Sequence, residues 1–401
     1  MKRARAIFFV LAFLPSVHAS DDWLDQVERW LTFSTPRHEL RGQVSGTLDL
    51  EGYRGDQSTT GFVFAEGDLF NPRLSLFLDA QQGRNWYAFA QARLDRGFDP
   101  SNGALRFRLD EYAVRWMIAR DGHANLQVGQ FATIIGGWIG RHLSWDNPFI
   151  GAPLPYAHMT GIYDRRAPTS LAALIPGRGE GEYEHNPIIW GPSYTTGVAI
   201  FGHSGRLDYA AEIKNVGPSS RPESWPVTVA GFECPAYNAR IGWRPDPRWK
   251  LGFSFSDSSY LLPTAARAVG FARGDYRERL LGQDVSFAWH HWQVWAELFE
   301  TKFTVPRAGA ARTYAGYVEM RYKFTPQLFG ALRWNRQVFS RVPDSIGSRQ
   351  PWGEDVWRVD AAGVYRMTPH AQFKLQASGR REASRPNQLL LSYAGQFTVR
   401  F

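Results

Sequence analysis

The sequence predicts an all-β chain closed into a transmembrane antiparallel β-barrel of about sixteen strands, preceded by a short N-terminal amphipathic helix. Three observations predict it: a basic and then apolar leader, period-two alternation through most of the chain, and connections that are alternately short and long. The alternation is clearest in LLLSYAGQFTVRF, residues 389–401. Leu389, Leu391, Tyr393, Gly395, Phe397, Val399 and Phe401 fall on one face, because strand side chains alternate between faces. Leu390, Ser392, Ala394, Gln396, Thr398 and Arg400 fall on the other. A long apolar edge in water invites aggregation, whereas a closed barrel in lipid requires an apolar outer face.

The leader comes first. Lys2, Arg3 and Arg5 precede the apolar run Ala6 to Leu14, Pro15 breaks it, and Val17 and Ala19 place small residues before a cut after Ala19. Residues 1–19 therefore read as a signal peptide removed before folding. No Cys follows the cut, which argues against a lipid anchor. The rest holds no apolar stretch near the ~20 residues a membrane helix needs. Aromatic residues make up 15% of the chain, with 16 Trp, which suits interfacial girdles. The single cysteine, Cys234, excludes an internal disulfide and a cysteine metal centre. The net charge of +8 includes Lys2, Arg3 and Arg5, so the exported chain carries a modest cationic excess. Without basic clusters, that excess does not point to nucleic acid.

Residues 20–37 do not alternate. Trp23, Val27, Trp30 and Leu31 recur at helical spacing, with Asp21, Asp22, Asp25 and Glu28 around them. Early acids suit a helix N-terminus and Pro36 ends the segment. The expectation is a lead-in helix at the periplasmic rim or inside the lumen, rather than a plug.

Residues 38–401 form the barrel. Leu40, Val44, Leu48 and Leu50 alternate with Arg41, Gln43, Asp49 and Glu51. Trp249, Leu251, Phe253 and Phe255 alternate with Lys250, Gly252, Ser254 and Ser256. Gln82-Gly83-Arg84 and Asp121-Gly122 mark tight turns. Short turns at 203–206, 245–248 and 325–327 face long connections at 217–233, 258–278 and 339–353, the turn-and-loop asymmetry of membrane barrels. The longest interruption, 134–192, is rich in Gly and Pro, and a loop of that length is generally functional.

In its last strand the chain resembles bacterial outer-membrane β-barrel proteins. That resemblance implies the outer membrane of a Gram-negative bacterium, its lipids as surroundings, and Tyr393, Phe397, Val399 and Phe401 as the signal read by the barrel-assembly machinery. Five strands precede 134–192 and eleven follow it, making that segment the third extracellular loop. A hairpin hidden within it would raise the count to eighteen. The architecture resembles the sixteen-stranded porins, loosely the phosphate-selective and carbohydrate-selective kinds through LDEYAVRW (109–116) and LQVGQF (126–131). The resemblance implies that this loop folds inward as a constriction, and it allows a homotrimer. Trp145, Asp146, Asn147 and Tyr156, within SWDNPFIGAPLPY at 144–156, are the constriction candidates.

The inward parity of the strands contains Arg41, Arg73, Arg93, Arg115, Arg240, Lys250, Arg321, Lys323, Arg333, Arg358, Arg366 and Lys374, the predicted pore-lining cations. Asp49, Glu51, Asp79, Asp95, Glu111, Asp208, Glu212, Asp284, Glu297, Glu319 and Asp360 share it. A barrel this wide is not filled by its own side chains, so these groups line water and charge sets selectivity. The positive excess predicts a mild anion preference. The competing reading is that the pairs stiffen the wall without net selectivity.

Other chemistry finds less support. Glu180, Glu182, Glu184 and His185 offer oxygen and nitrogen ligands but lack the spacing of a calcium loop, so no metal site is predicted. Trp289-His290-His291-Trp292 reads as a turn in an aromatic girdle. His203 and Ser204 sit side by side in a turn without the G-x-S-x-G elbow of serine hydrolases, so no catalytic residue is predicted. The sequence therefore predicts a porin without cofactor, passing small hydrophilic or anionic solutes. An export barrel for an anionic exopolysaccharide is the alternative, and an outer-membrane hydrolase a third reading.

Overall fold

Sixteen antiparallel strands run in sequence order around the molecule, and the last pairs with the first. This computed structural model describes residues 23–37, 39–55, 67–97, 104–175 and 185–401. The predicted signal peptide lies outside the described residues, as do Glu180, Glu182 and Glu184. The barrel strands are β1 (Leu40–Gly55), β2 (Gly67–Gln82), β3 (Trp86–Asp95), β4 (Arg106–Ala119), β5 (Ala124–Phe131), β6 (Thr195–Ser204), β7 (Leu207–Lys214) and β8 (Ala236–Trp243). They continue as β9 (Trp249–Ser259), β10 (Arg277–Trp289), β11 (Trp292–Val305), β12 (Gly309–Lys323), β13 (Leu328–Phe339), β14 (Val356–Arg366), β15 (Ala371–Glu382) and β16 (Leu390–Arg400). The described part of 134–192 adds only single helical turns at Ile139–Arg141, Leu154–Tyr156 and Leu171–Leu174, so the strand count stays at sixteen.

The seam is closed by register. Ser392 pairs with Gly55 and Arg400 with Thr47, leaving no unpaired edge between β16 and β1 along that stretch. The Phe401 amide donates to the Gly46 carbonyl at 3.0 Å, and its ring lies where a side chain at Gly46 would stand. Below it, Thr32–Ser34 forms a short strand on β1, with Phe33 opposite and over Gly42. The helix α1 (Trp23–Trp30) ends before this strand, earlier than Pro36 would enforce, because Leu31 onward extends to pair with β1. Its Asp25 carboxylate meets His370 Nε2 at 2.8 Å, in the turn between β14 and β15. Among the described residues Asp25, Glu28 and His370 are the one metal-donor cluster, and this hydrogen bond accounts for its contact.

One end carries tight turns. Gly83 and Gly205, with φ of +56° and +58°, reverse the chain where an L side chain would be strained. The other end carries the long connections 132–194, 215–235, 260–276 and 340–355, although 306–308 spans just three residues there. The outward face is apolar over the whole circumference: Leu78, Val114, Ile200, Leu298, Leu332 and Leu375 are all substantially exposed. A continuous belt of this kind is stable in lipid and not in water. At the tight-turn end, Trp289, Trp292, Tyr322 and Phe324 gather around the two-residue turn at 290–291, and Trp86 stacks on Trp116 at 5.9 Å.

Candidate functional site

The interior of the barrel is divided unequally. The described parts of segment 132–194, residues 132–175 and 185–194, pack against the inner wall, joined by the connections 260–276 and 340–355. Ile135, Trp138, Ile139, Tyr156, Ile162 and Ile188 of the segment form one buried cluster with Leu280, Phe299, Phe303, Ala315 and Tyr317 of β10–β12. The inward face of those strands is thus apolar near the loop end, where it is covered by chain instead of water.

An irregular backbone buried this way must find partners for its amides and carbonyls. The wall supplies them. Glu297 Oε1 accepts the amides of Gly137 and Trp138 at 2.5 and 2.6 Å. Gln376 Oε1 accepts those of Ile150 and Gly151 at 2.7 and 3.1 Å, and Asn335 accepts that of Leu154 at 3.2 Å. Arg333 donates to the Gly151 carbonyl at 2.8 Å, Arg358 to Ala152 at 2.6 Å, and Lys374 to Ser144 and, at 2.7 Å, to Asn147. Arg333, Arg358 and Lys374 are at most 2% exposed, so these three predicted pore-lining cations hold the segment and meet no water. The charges of Arg333 and Arg358 are offset by Asp360, at 2.9 and 3.0 Å, and that of Arg333 also by Glu319.

One cavity between the segment and the wall lies along β1–β4. The cavity there, ≈ 170 Å³, has Arg73, Arg93 and Arg108 on the wall and Trp138, His142, Ser144, Asn147 and Phe149 on the segment. Each guanidinium stands on buried carboxylates. Arg73 contacts Glu51 at 2.6 Å and Asp49 at 3.1 Å, Arg93 contacts Asp110 at 3.1 Å, and Arg108 grips both oxygens of Asp95 at 2.9 and 3.0 Å. The arginine side chains are 14–24% exposed and the carboxylates at most 7%, so a solute in the cavity meets guanidinium N–H groups first.

Arg108 and Asp110 are absent from the predicted list. Gln91 pairs with Glu111 and Ala92 with Leu109, so Asp110 is the extra residue of a β-bulge that turns it and Glu111 inward together. That bulge reverses the parity upstream and brings Arg108 to the lumen. The two adjacent acids in LDEY are the signal that could have revealed it.

The remaining predicted residues are dispersed. Arg115 sits among the rings of Tyr87, Phe89 and Phe201 and bonds Gln127. Arg240 is bidentate to Asp284, Lys250 is half-buried, and Arg41 and Lys323 are exposed near the tight turns. Trp145 lies under Arg400 at 4.1 Å and Arg366 at 5.3 Å, while Arg321 shares the Phe329 ring with Arg366. Asp146 is exposed, Asn147 is buried, and Tyr156 is wholly buried with its hydroxyl on Glu297. Tyr393, Phe397 and Val399 face outward on β16. His185 is buried beside the Tyr163 ring, and His203 and Ser204 end β6 at its tight turn.

Two histidines of the segment are held neutral. Burial pushes His142 down to about 4, with Arg93 and Arg73 adding to the effect, and its ring bonds the Tyr194 hydroxyl at 2.7 Å. Burial likewise pushes His158 down to about 3, with Arg380 contributing.

No protein-family model matches the chain, and neither does any curated protein. Solved structures do match. Salmonella typhi OmpF, in complex with daunomycin, superposes with a TM-score of 0.58 at 11% identity, covering 92% of this chain and 100% of that one. An anion-selective porin from Comamonas acidovorans gives 0.56 at 9% identity, over 90% and 100%. In-vitro folded OmpT of Vibrio cholerae, an outer membrane protein in a trimer form, gives 0.54 at 8% identity, over 90% and 99%. The chain has the closed sixteen-stranded fold of the bacterial outer-membrane porins.

Proposed function

We propose that the chain is a passive diffusion channel of the outer membrane for small hydrophilic solutes, with a mild preference for anions. The observation that carries the reading is the packing of the described parts of segment 132–194 on the inner wall of β10–β15, beside a polar cavity along β1–β4. Diffusion channels narrow their lumen in this way, whereas export of a polymer calls for an open bore, so the export reading loses ground. The preference is mild because Arg73, Arg93 and Arg108 each stand over a carboxylate, leaving guanidinium edges exposed but little net charge. In this reading the tight turns face the periplasm and the long loops the exterior, and the trimer form of OmpT supports a homotrimer.

Proteoliposome swelling tests the proposal. Liposomes carrying the protein should swell rapidly in small uncharged sugars and progressively more slowly as sugar size rises. Swelling no faster than in protein-free liposomes would defeat it.

A further inference from the structure

A second group of lumen arginines differs from the row along β1–β4. Arg321 on β12, Arg366 on β14 and Arg400 on β16 all point inward on the tight-turn side of segment 132–194. They are strung along two aromatic rings. The guanidinium carbons of Arg321 and Arg366 lie 5.2 and 5.1 Å from the centroid of Phe329, and those of Arg366 and Arg400 lie 5.3 and 4.1 Å from that of Trp145.

Their hydrogen bonds go to neutral acceptors: Arg321 to Gln293, Arg366 to the Trp145 carbonyl at 3.4 Å, and Arg400 to the Pro369 carbonyl at 2.7 Å. Among the described residues none of the three has a carboxylate within 4.0 Å, unlike Arg73, Arg93, Arg108, Arg240, Arg333 and Arg358. Asp146 is the acidic residue that lines the same recess as Arg321 and Arg366. Two cations of that recess therefore face one exposed carboxylate, and Arg400 adjoins them across the Trp145 ring. Stacking on a ring fixes a guanidinium and leaves its in-plane N–H groups free, and adjacent planar forks match the oxygens of an oxyanion.

We infer that Arg321, Arg366 and Arg400, positioned by Phe329 and Trp145, form an anion-binding station on the tight-turn side of the constriction, taking a small oxyanion such as phosphate. The inference rests on the channel reading for its role in transport but not for binding itself. A dianion bridging two of these arginines relieves their mutual repulsion, which a single chloride does less well.

Two measurements on the full-length protein test it, with inorganic phosphate at neutral pH as the probe. In planar bilayers under potassium chloride, phosphate should reduce the wild-type current in a saturable way. The R366Q/R400Q variant, which removes two charge-assisted contacts, should need at least about tenfold more phosphate for the same block. R248Q, in the exposed turn at 245–248, should keep the wild-type response. Calorimetric titration of phosphate into detergent-folded protein reads binding without conduction. Saturable binding to wild type that is lost in R366Q/R400Q supports the station, even if the wild type proves non-conducting, an outcome that would sink the channel reading alone. Absence of binding to the wild type, or equal binding to R366Q/R400Q, overturns the station. Should R366Q/R400Q fail to give a heat-modifiable barrel, the single substitution R321Q takes its place with the same expectations.

Discussion

The Tyr156 hydroxyl donates to Glu297 Oε2 at 2.5 Å while the other oxygen of the same carboxylate receives Gly137 and Trp138. One acidic side chain of β11 thus ties two distant points of segment 132–194 to the wall. Burial, together with Glu297, raises the Tyr156 phenol well above its ordinary range, so it stays a donor. Removing a buried hydrogen bond to a charged group costs about 1.5–3 kcal/mol. Tyr156→Phe should lower the unfolding free energy of the barrel by that amount, read as a lower denaturant midpoint, and make single-channel currents noisier as the segment loosens. An unchanged midpoint with quiet currents would show that the segment is held elsewhere.

A pH dependence follows from His142 and His158. Their folded values, about 4 and about 3, lie below the 6.5 of an unfolded chain. Between those limits the unfolded state binds more protons, so the stability they share in is complete above pH 6.5 and falls as pH drops toward 4. The H142N/H158Q variant should lose less stability than wild type between pH 7 and pH 4.5, measured by denaturant unfolding at each pH. Parallel losses in the two proteins would remove these histidines from the account.

The seam offers a steric test. A Cβ at Gly46 would stand 2.5 Å from Phe401 Cζ. Gly46→Val should therefore weaken closure between β16 and β1 by the ~1–3 kcal/mol typical of overpacking. It should reduce the yield of heat-modifiable barrel in a folding assay. Phe401→Ala placed on top of it frees the space and should restore part of that yield; no interaction between the two changes would mean that the ring does not seal the seam.

The strands were legible because lipid imposes a strict rule on one face. Trp249, Leu251, Phe253 and Phe255 could face only outward, and the turns at Gly83 and Gly205 need residues tolerant of positive φ. The interior obeys no such rule. Phe299, Phe303 and Tyr317 face inward because segment 132–194 covers them, and periodicity says nothing about which part of a lumen a distant loop will fill. For the same reason charge alone could not separate Arg73, Arg93 and Arg108, which meet solvent, from Arg333 and Arg358, which bond loop carbonyls. Arg108 was hidden by a single extra residue, Asp110, that shifts the parity of β4.

The most direct test of the central claim is current through the purified protein in a planar bilayer under a potassium chloride gradient. Stepwise open channels with a reversal potential displaced modestly toward that of chloride are the predicted result. Bilayers that hold folded protein yet show no conductance, or channels whose reversal potential lies on the potassium side, would contradict it.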